Sequence, residues 1–448
     1  MTFDDQELVL LNEALRQLRA GFAGLPEHES RVDFTRCRDA LLAAAERMRD
    51  NYPYHHPLYV GQMLKPPHPV ARLSYALAMF LNPNNHAFDG GRASSAMEKE
   101  AVAGIARMVG WDTHLGHLCG GGTIANFEAL WIARELAPGR AIAASAQAHY
   151  THERLSAVLG VPFVRIDADA AGHMDVAALE RALVSGTIGT VVATLGTTAA
   201  GRVDPLPEIL TLCRRHGARV HVDAAYGGYF LLASNLDPPA RAAYDCMHEA
   251  DSIVIDPHKH GLQPYGCGCV LYRDPAVGRF YQHDSPYTYF TSGDVHLGEI
   301  SLECSRAGAS AVALWTTMRM LPLERDGEFA RSLDACRDGA HALFAALASD
   351  ARFVPLFPPE LDIVVWAVRA RTVSEASARA RAIFEAAARN DLHLALATFP
   401  RAMAAARAPV AEWDQDHIVC LRACVMKADH RKWVPEIVRR LRHATDAS

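Results

Sequence analysis

The feature that most constrains this chain is an alternation, from about residue 100 onward, of short apolar runs with amphipathic helical stretches. Five runs read as strands: Ala141–Ser145, Val191–Leu195, Arg219–Val222, Ser252–Ile255 and Gly268–Tyr272. Helical patterns such as Ile124–Glu135 and Leu206–His216 lie between several of them. A short strand that is apolar throughout needs cover on both faces, and an intervening helix supplies the crossover that parallel pairing requires. The pattern predicts an α/β fold built on a mostly parallel sheet.

The flanks differ in texture. Residues 1–60 read as helical, with Leu8, Leu10, Leu11, Leu15 and Leu18 at near-helical spacing and Leu41, Leu42 and Ala45 marking a second helix. The Pro and His cluster from Pro53 to Pro69 breaks that pattern, yet Leu58, Tyr59, Val60 and Met63 interleave it, so it reads as an ordered loop. From about residue 320 the chain is rich in Ala and Arg. Amphipathic patterns cover Ser332–Leu347 and Ser374–Asn390, with strand-like Ile363–Val368 and His417–Cys424 among them. The expected division is a helical segment 1–60, a large domain 61–320 and a small α+β domain 321–448.

With 448 residues, half of them hydrophobic, the chain can bury a large core. The formal net charge of -6 is spread along the chain without a basic block, which argues against nucleic acid as a partner. No apolar run reaches the roughly 18 residues of a membrane span. The opening Met1-Thr2-Phe3-Asp4-Asp5 is not a secretory signal, and the ten scattered cysteines read as reduced thiols, so a cytoplasmic protein is expected.

Four motifs carry chemistry. Asp256-Pro257-His258-Lys259 follows an apolar strand directly. Ligands of α/β sheets gather at strand carboxyl ends, and a desolvated lysine there is an amine nucleophile toward an aldehyde; taken alone it reads as a surface lysine in a strand-to-loop turn, which the other motifs must overturn. Asp223, in His221-Val222-Asp223-Ala224-Ala225-Tyr226-Gly227-Gly228, also ends a strand. A carboxylate there can pair with a protonated pyridine nitrogen, while Ala224, Ala225, Gly227 and Gly228 leave room for a flat ring; the lesser alternative for a lone aspartate is a helix cap. Gly120-Gly121-Gly122-Thr123 opens the helical stretch Ile124–Glu135 and suits an anion such as a phosphate, or is a plain glycine turn. His149, just after Ala141–Ser145, could stack on a bound ring, though as a lone residue it reads as one of 22 histidines lying in a loop.

Phosphate turn, stacking His, Asp and Lys, in that order and spacing, resemble the group II pyridoxal 5'-phosphate (PLP) dependent amino-acid decarboxylases, built on the aspartate-aminotransferase-like fold (fold type I). The matching stretches are GGGTIANFEALWIAR, AQAHYTHERLSAVLG, TLGTTAAGRVDP, HVDAAYGGYF, DSIVIDPHKHG and LRACVMK, spanning about residues 55 to 425. The resemblance implies that Lys259 carries the cofactor, Asp223 faces its ring nitrogen and His149 stacks on its ring. It places Gly122 and Thr123 at the phosphate, His258 near it, and Thr197 close to the ring. Tyr287 or Tyr289, on a loop after the lysine, becomes the candidate proton donor, with aromatic packing as the alternative. It also implies a homodimer with its site at the interface, the 1–60 segment packing there.

Cys119 and Gly120 stand where the family often has Thr-Ser, and His260 where many members have an aromatic residue. The stretches Leu81-Asn82-Pro83-Asn84-Asn85, Trp111 through Gly116-His117-Leu118, and Glu303-Cys304-Ser305-Arg306-Ala307-Gly308-Ala309 resemble bacterial tyrosine decarboxylases, which points to an aromatic substrate. His86 would then lie near the substrate side chain or in a solvent-facing loop. Arg422 would read a carboxylate or brace the small domain. The rival readings are a PLP carbon–carbon lyase, an aldehyde-forming oxidative decarboxylase, and a non-catalytic protein of the same fold. A metal enzyme would need His114, His117 and Cys119, or His149 and His152. His152-Glu153-Arg154 does not continue to H-E-x-x-H, and no metal is expected.

Overall fold

Seven strands form the main sheet of the computed structural model, which describes residues 5–26, 32–86, 88–282, 300–408 and 410–447. They are β1 (Leu115–Cys119), β2 (Ala141–Ser145), β3 (Phe163–Ile166), β4 (Ile188–Thr194), β5 (Arg219–Asp223), β6 (Ser252–Ile255) and β7 (Gly268–Tyr272), in the order β1-β7-β6-β5-β4-β2-β3. The pairs β2–β3, β2–β4, β4–β5 and β5–β6 are parallel; only β7 runs against its neighbours. Every residue of β2, β4, β6 and β7 is buried, as expected where helices cover both faces. All five strands read from the sequence are present. β1 and β3 were not read as strands: β3 lies at the sheet edge with only Ile166 buried, so its sequence, Phe163-Val164-Arg165-Ile166, lacks a fully apolar run.

A second sheet, β8 (Phe353–Pro355), β9 (Ile363–Val368), β10 (Ala395–Pro400) and β11 (His417–Cys424), is antiparallel throughout in the order β10-β11-β9-β8. Helices Glu328–Ala348, Val373–Ala388 and His430–Asp446 pack over it around Trp366, Leu421 and Ile383. The expected ordered loop is a strap packed into the core of the second sheet. Leu58 and Val60 are buried in this second core, where the Val60 N–H donates to His393 O at 2.9 Å and Val60 O accepts from the Cys424 N–H at 2.7 Å.

The first two helices, Asp5–Ala20 and Phe34–Met48, bury no residue, and Leu8, Val9, Leu10, Phe34, Leu41, Leu42 and Met48 stand exposed on them. All ten cysteines are free thiols, seven of them buried. Among the described residues no helix is long and apolar enough to cross a membrane.

Candidate active site

The parallel register puts Thr194 of β4 beside Asp223 of β5, and Asp223 beside Val254 of β6. These strands therefore end together at one edge of the sheet. β7 runs in reverse, so its first residue, Gly268, lies at that same edge, paired with Cys119 at the end of β1. A cavity of about 370 Å³ opens here, at the strand carboxyl ends where α/β sheets bind ligands.

The glycine turn after β1 forms one wall. Gly121 has φ +143°, a region L side chains avoid, and a Cβ on Gly268 would lie 2.6 Å from its backbone. A Cβ on Gly122 would lie 2.6 Å from Asp256 Oδ2, so glycine is what lets that carboxylate approach. The helix that begins here, Gly122–Leu136, has no side-chain cap, and Gly122, Thr123 and Ile124 all line the cavity. The first N–H groups of a helix lack intrahelical partners and lie at its positive end, so this uncapped start is an anion cradle.

Across the cavity Asp223 is buried, and its Oδ1 accepts from the N–H of Ala225, another lining residue, at 3.1 Å. Its Oδ2 lies 2.8 Å from Nε2 of His152. Burial alone would raise the pKa of Asp223. The His152 hydrogen bond and charge, aided by Lys259, outweigh it and hold the carboxyl well below the usual carboxylate range. His152, fully buried in the helix Thr151–Leu159, is a site residue that the sequence offered only as half of a close His pair. Its spacing of three from His149 was the available signal: the two are joined by a turn in which the His152 N–H donates to His149 O at 3.1 Å.

His149 lines the cavity, and its Nδ1 is 2.5 Å from the Thr151 hydroxyl and accepts from the Thr151 N–H at 3.3 Å. Burial lowers its pKa, which favours the neutral ring. Lys259, four residues beyond β6, puts Nζ 3.1 Å from Oδ2 of Asp256, a buried carboxylate whose Oδ1 has no hydrogen-bond partner among the described residues. Next to it, His258 gives Nδ1 to Cys267 O at 2.8 Å and lies against Tyr265 at 4.8 Å between ring centroids. Tyr226, on the same cavity wall, donates its hydroxyl to Asp362 Oδ1 at 2.5 Å.

Lys259, His149, Asp223, Gly122, Thr123, Ala225 and His258 thus share one cavity. Three expected residues do not line it. Thr197 is fully buried with its hydroxyl accepting from the Arg202 N–H at 2.9 Å, because Gly196 turns the chain there; Thr194 and Thr198 face the cavity instead. His86 sits in a turn where its N–H donates to Asn84 Oδ1. The Asn-rich stretch around it is a structural bracket: Asn85 and Arg306 both bond the buried Glu98. Arg422 is buried on β11, giving Nη2 to Cys424 Sγ at 3.1 Å, so it braces the small domain. Tyr287 and Tyr289 lie outside the described residues.

An anion cradle, an ionised carboxylate and a primary amine around one cavity match the three ends of a phosphorylated pyridine aldehyde. With the sheet topology they define a PLP enzyme of fold type I. Residues 131–369 match the family described as the pyridoxal-dependent decarboxylase conserved domain. The chain belongs to that family and is a PLP-dependent amino-acid decarboxylase. It is 32% identical over 307 residues to a probable L-aspartate decarboxylase of Halobacterium salinarum, covering 68% of this chain and 81% of that one. It is 28% identical over 401 residues to an L-tyrosine decarboxylase of Levilactobacillus brevis, covering 67% and 64%. Among solved structures, mouse CSAD in its apo form superposes with a TM-score of 0.77 at 21% identity, over 95% of this chain and 91% of that one. Oryza sativa TDC with PLP and tryptamine superposes with a TM-score of 0.78 at 18% identity, over 100% and 99%.

Proposed function

We propose that this enzyme removes the α-carboxyl group of an aromatic, tyrosine-like L-amino acid as CO2 and releases the amine. The observation that carries this reading is the convergence of Lys259, Asp223 and the uncapped helix start on one cavity. In it, Lys259 would hold the cofactor through its amine, and Gly122, Thr123 and the adjoining N–H groups would hold the phosphate, with His258 beside it. Asp223, kept ionised by its contacts, would pair with the protonated ring nitrogen, and His149 would pack against the ring. Bound there, PLP supplies the electron sink for the pair left by the departing carboxylate. The protein's part would be orientation, holding the bond to be broken where the cofactor can accept its electrons. Tyr287 or Tyr289 delivers a proton to the substrate carbon, an assignment that rests on the family resemblance.

The aromatic choice is supported by what lines the cavity. Among the described residues there is no arginine, Lys259 is the only lysine, and Ile124, Tyr226 and Tyr265 contribute apolar surface. An acidic side chain would call for a cation it could keep. The 32% identity to probable L-aspartate decarboxylases favours a second reading, an acidic substrate bound with help from elsewhere. Product analysis by mass, after incubating the PLP-loaded enzyme with tyrosine, phenylalanine, tryptophan, glutamate and aspartate, decides between them. An amine lighter than tyrosine by one CO2 is expected; turnover of aspartate alone would reject the aromatic substrate. An aldehyde product would move the reaction to oxidative decarboxylation.

We further propose that the enzyme is a cytoplasmic homodimer. The exposed apolar residues of the first two helices are the surface a partner copy would cover, and the free thiols suit a reducing compartment.

A further inference from the structure

A second cavity, of about 350 Å³, lies behind the lysine-bearing loop and is not part of the catalytic one. Three segments meet at it: Lys65 and His68 of the strap, Leu262 three residues beyond Lys259, and Cys336 and Lys427 of the small domain. The strap and lysine loop are joined directly, the His68 N–H donating to Leu262 O at 2.9 Å, and Leu262 holds φ at 65°, rare for a leucine.

The two lysines are the unusual feature. Among the described residues the Lys65 ammonium has one acceptor, Met426 O at 3.2 Å, and that of Lys427 has Tyr59 O at 2.7 Å, with the Tyr59 ring 5.5 Å away. Each ammonium carries three donors, and among the described residues neither lysine forms an ion pair. The carboxylates of the wall, Glu328 and Asp429, are exposed to water, and Arg72 is taken by Glu7 at 2.6 Å. Both lysines are half-buried and line the cavity, so an anion entering it would meet two ammonium groups whose donors the described residues do not fill. We propose that this cavity is a second ligand site, binding a small oxyanion, a carboxylate or a phosphate, between Lys65 and Lys427. An occupant would tie the strap to the small domain beside the loop that presents Lys259.

The electrostatics agree. Burial lowers both lysines, Lys427 to about 7, with Lys65 next to it adding to the effect. An anion would favour the charged forms, so binding should take up protons.

The test uses the PLP-loaded enzyme, whose catalytic phosphate cradle is filled. Inorganic phosphate and, separately, acetate are titrated while heat, proton uptake and the thermal midpoint are followed. Saturable binding of either ion with proton uptake and a rising midpoint is expected, and the ion preferred tells a phosphate site from a carboxylate site. Lys65→Met and Lys427→Met should each weaken binding at least about tenfold, as loss of a charge-assisted hydrogen bond implies, with the cofactor absorbance unchanged. If a variant fails to fold, acetylation of the native enzyme localises the site, since bound anion should slow labelling of Lys65 and Lys427. No saturable binding of either ion, or binding that leaves both lysines equally reactive, would overturn the proposal.

Discussion

Asp223 shows how a single residue's chemistry depends on its neighbours. A carboxylate buried at a strand end would ordinarily gain a proton; here the 2.8 Å bond from His152 and the field of Lys259 reverse that. Its folded pKa therefore lies below its unfolded value of about 4. The stability it contributes is present above that value and is lost as pH falls toward the depressed folded one. Acid unfolding followed by circular dichroism should show this as a steeper loss below about pH 4 in the native enzyme than in Asp223→Asn; superimposable curves would contradict it. Asp223→Ala should lose most turnover, and near-normal rates would remove it from the mechanism. His152→Phe keeps bulk but removes the bond, and should lower kcat more than it raises KM while shifting the cofactor absorbance. An unaltered spectrum would make His152 merely structural. Lys259→Ala should abolish cofactor that borohydride can fix to the protein, and retained fixation would move the attachment elsewhere. Of these residues, Lys259, Asp223 and His149 stood out as candidates in the linear chain because each ends or follows a recognisable strand. His152 was not, since what matters is a partner 71 positions away.

At the scale of elements, the site is made by strand direction. β4, β5 and β6 finish at one edge, and the reversed β7 returns there, where Gly268 meets the glycine turn. Gly268→Ala would put a methyl 2.6 Å from the Gly121 backbone, so the turn must shift away from β7. The expected result is PLP affinity reduced by roughly tenfold or more with the fold retained, measured by fluorescence titration of apo enzyme. Unchanged affinity would mean the turn relaxes without disturbing the cradle. The runs that became β2, β6 and β7 were legible because full burial on both faces leaves a continuous apolar signature. β3 at the edge, and the short β8, carry no such signature. The Thr197 expectation failed to reach the cavity for a related reason: after β4 the Gly196 turn, φ 105°, decides which threonine faces in.

For the whole molecule, the two sheets are fastened at a few buried polar points. Asp362, fully buried ahead of β9, accepts from the Tyr226 hydroxyl at 2.5 Å and lies 3.2 Å from Nε2 of His260, so the small domain reaches the cavity wall and the residue next to Lys259. Two residues earlier, Glu360 bonds the Val203 N–H at 2.7 Å and His173 Nε2 at 2.7 Å. Asp362→Ala would strand Tyr226 and His260 in a dry interior. The expected cost is about 3–5 kcal/mol in denaturant unfolding, and a loss below about 1 kcal/mol would mean solvent or rearrangement replaces the link. Sedimentation should report a dimer at micromolar concentration, shifted toward monomer by Leu41→Glu with Leu42→Glu. A native monomer would leave the apolar faces of the first two helices in need of another partner.

Periodicity in the linear chain pointed to an α/β fold, the family resemblance of its motifs to the cofactor class, and the strand ends to Lys259 and Asp223 as candidates, which share one cavity. Those properties are local: an apolar run is buried wherever it pairs, and a residue just past a strand reaches the sheet edge regardless of what lies across it. Which threonine faces the cavity, that the Asn84–Asn85 stretch is a bracket around Glu98, that Arg422 braces β11, and that His152 holds Asp223 were settled by the folded chain alone. Each of these depends on a partner brought close from far along the chain, and a hydrogen bond of 3 Å is decided by tertiary packing rather than by spacing in sequence.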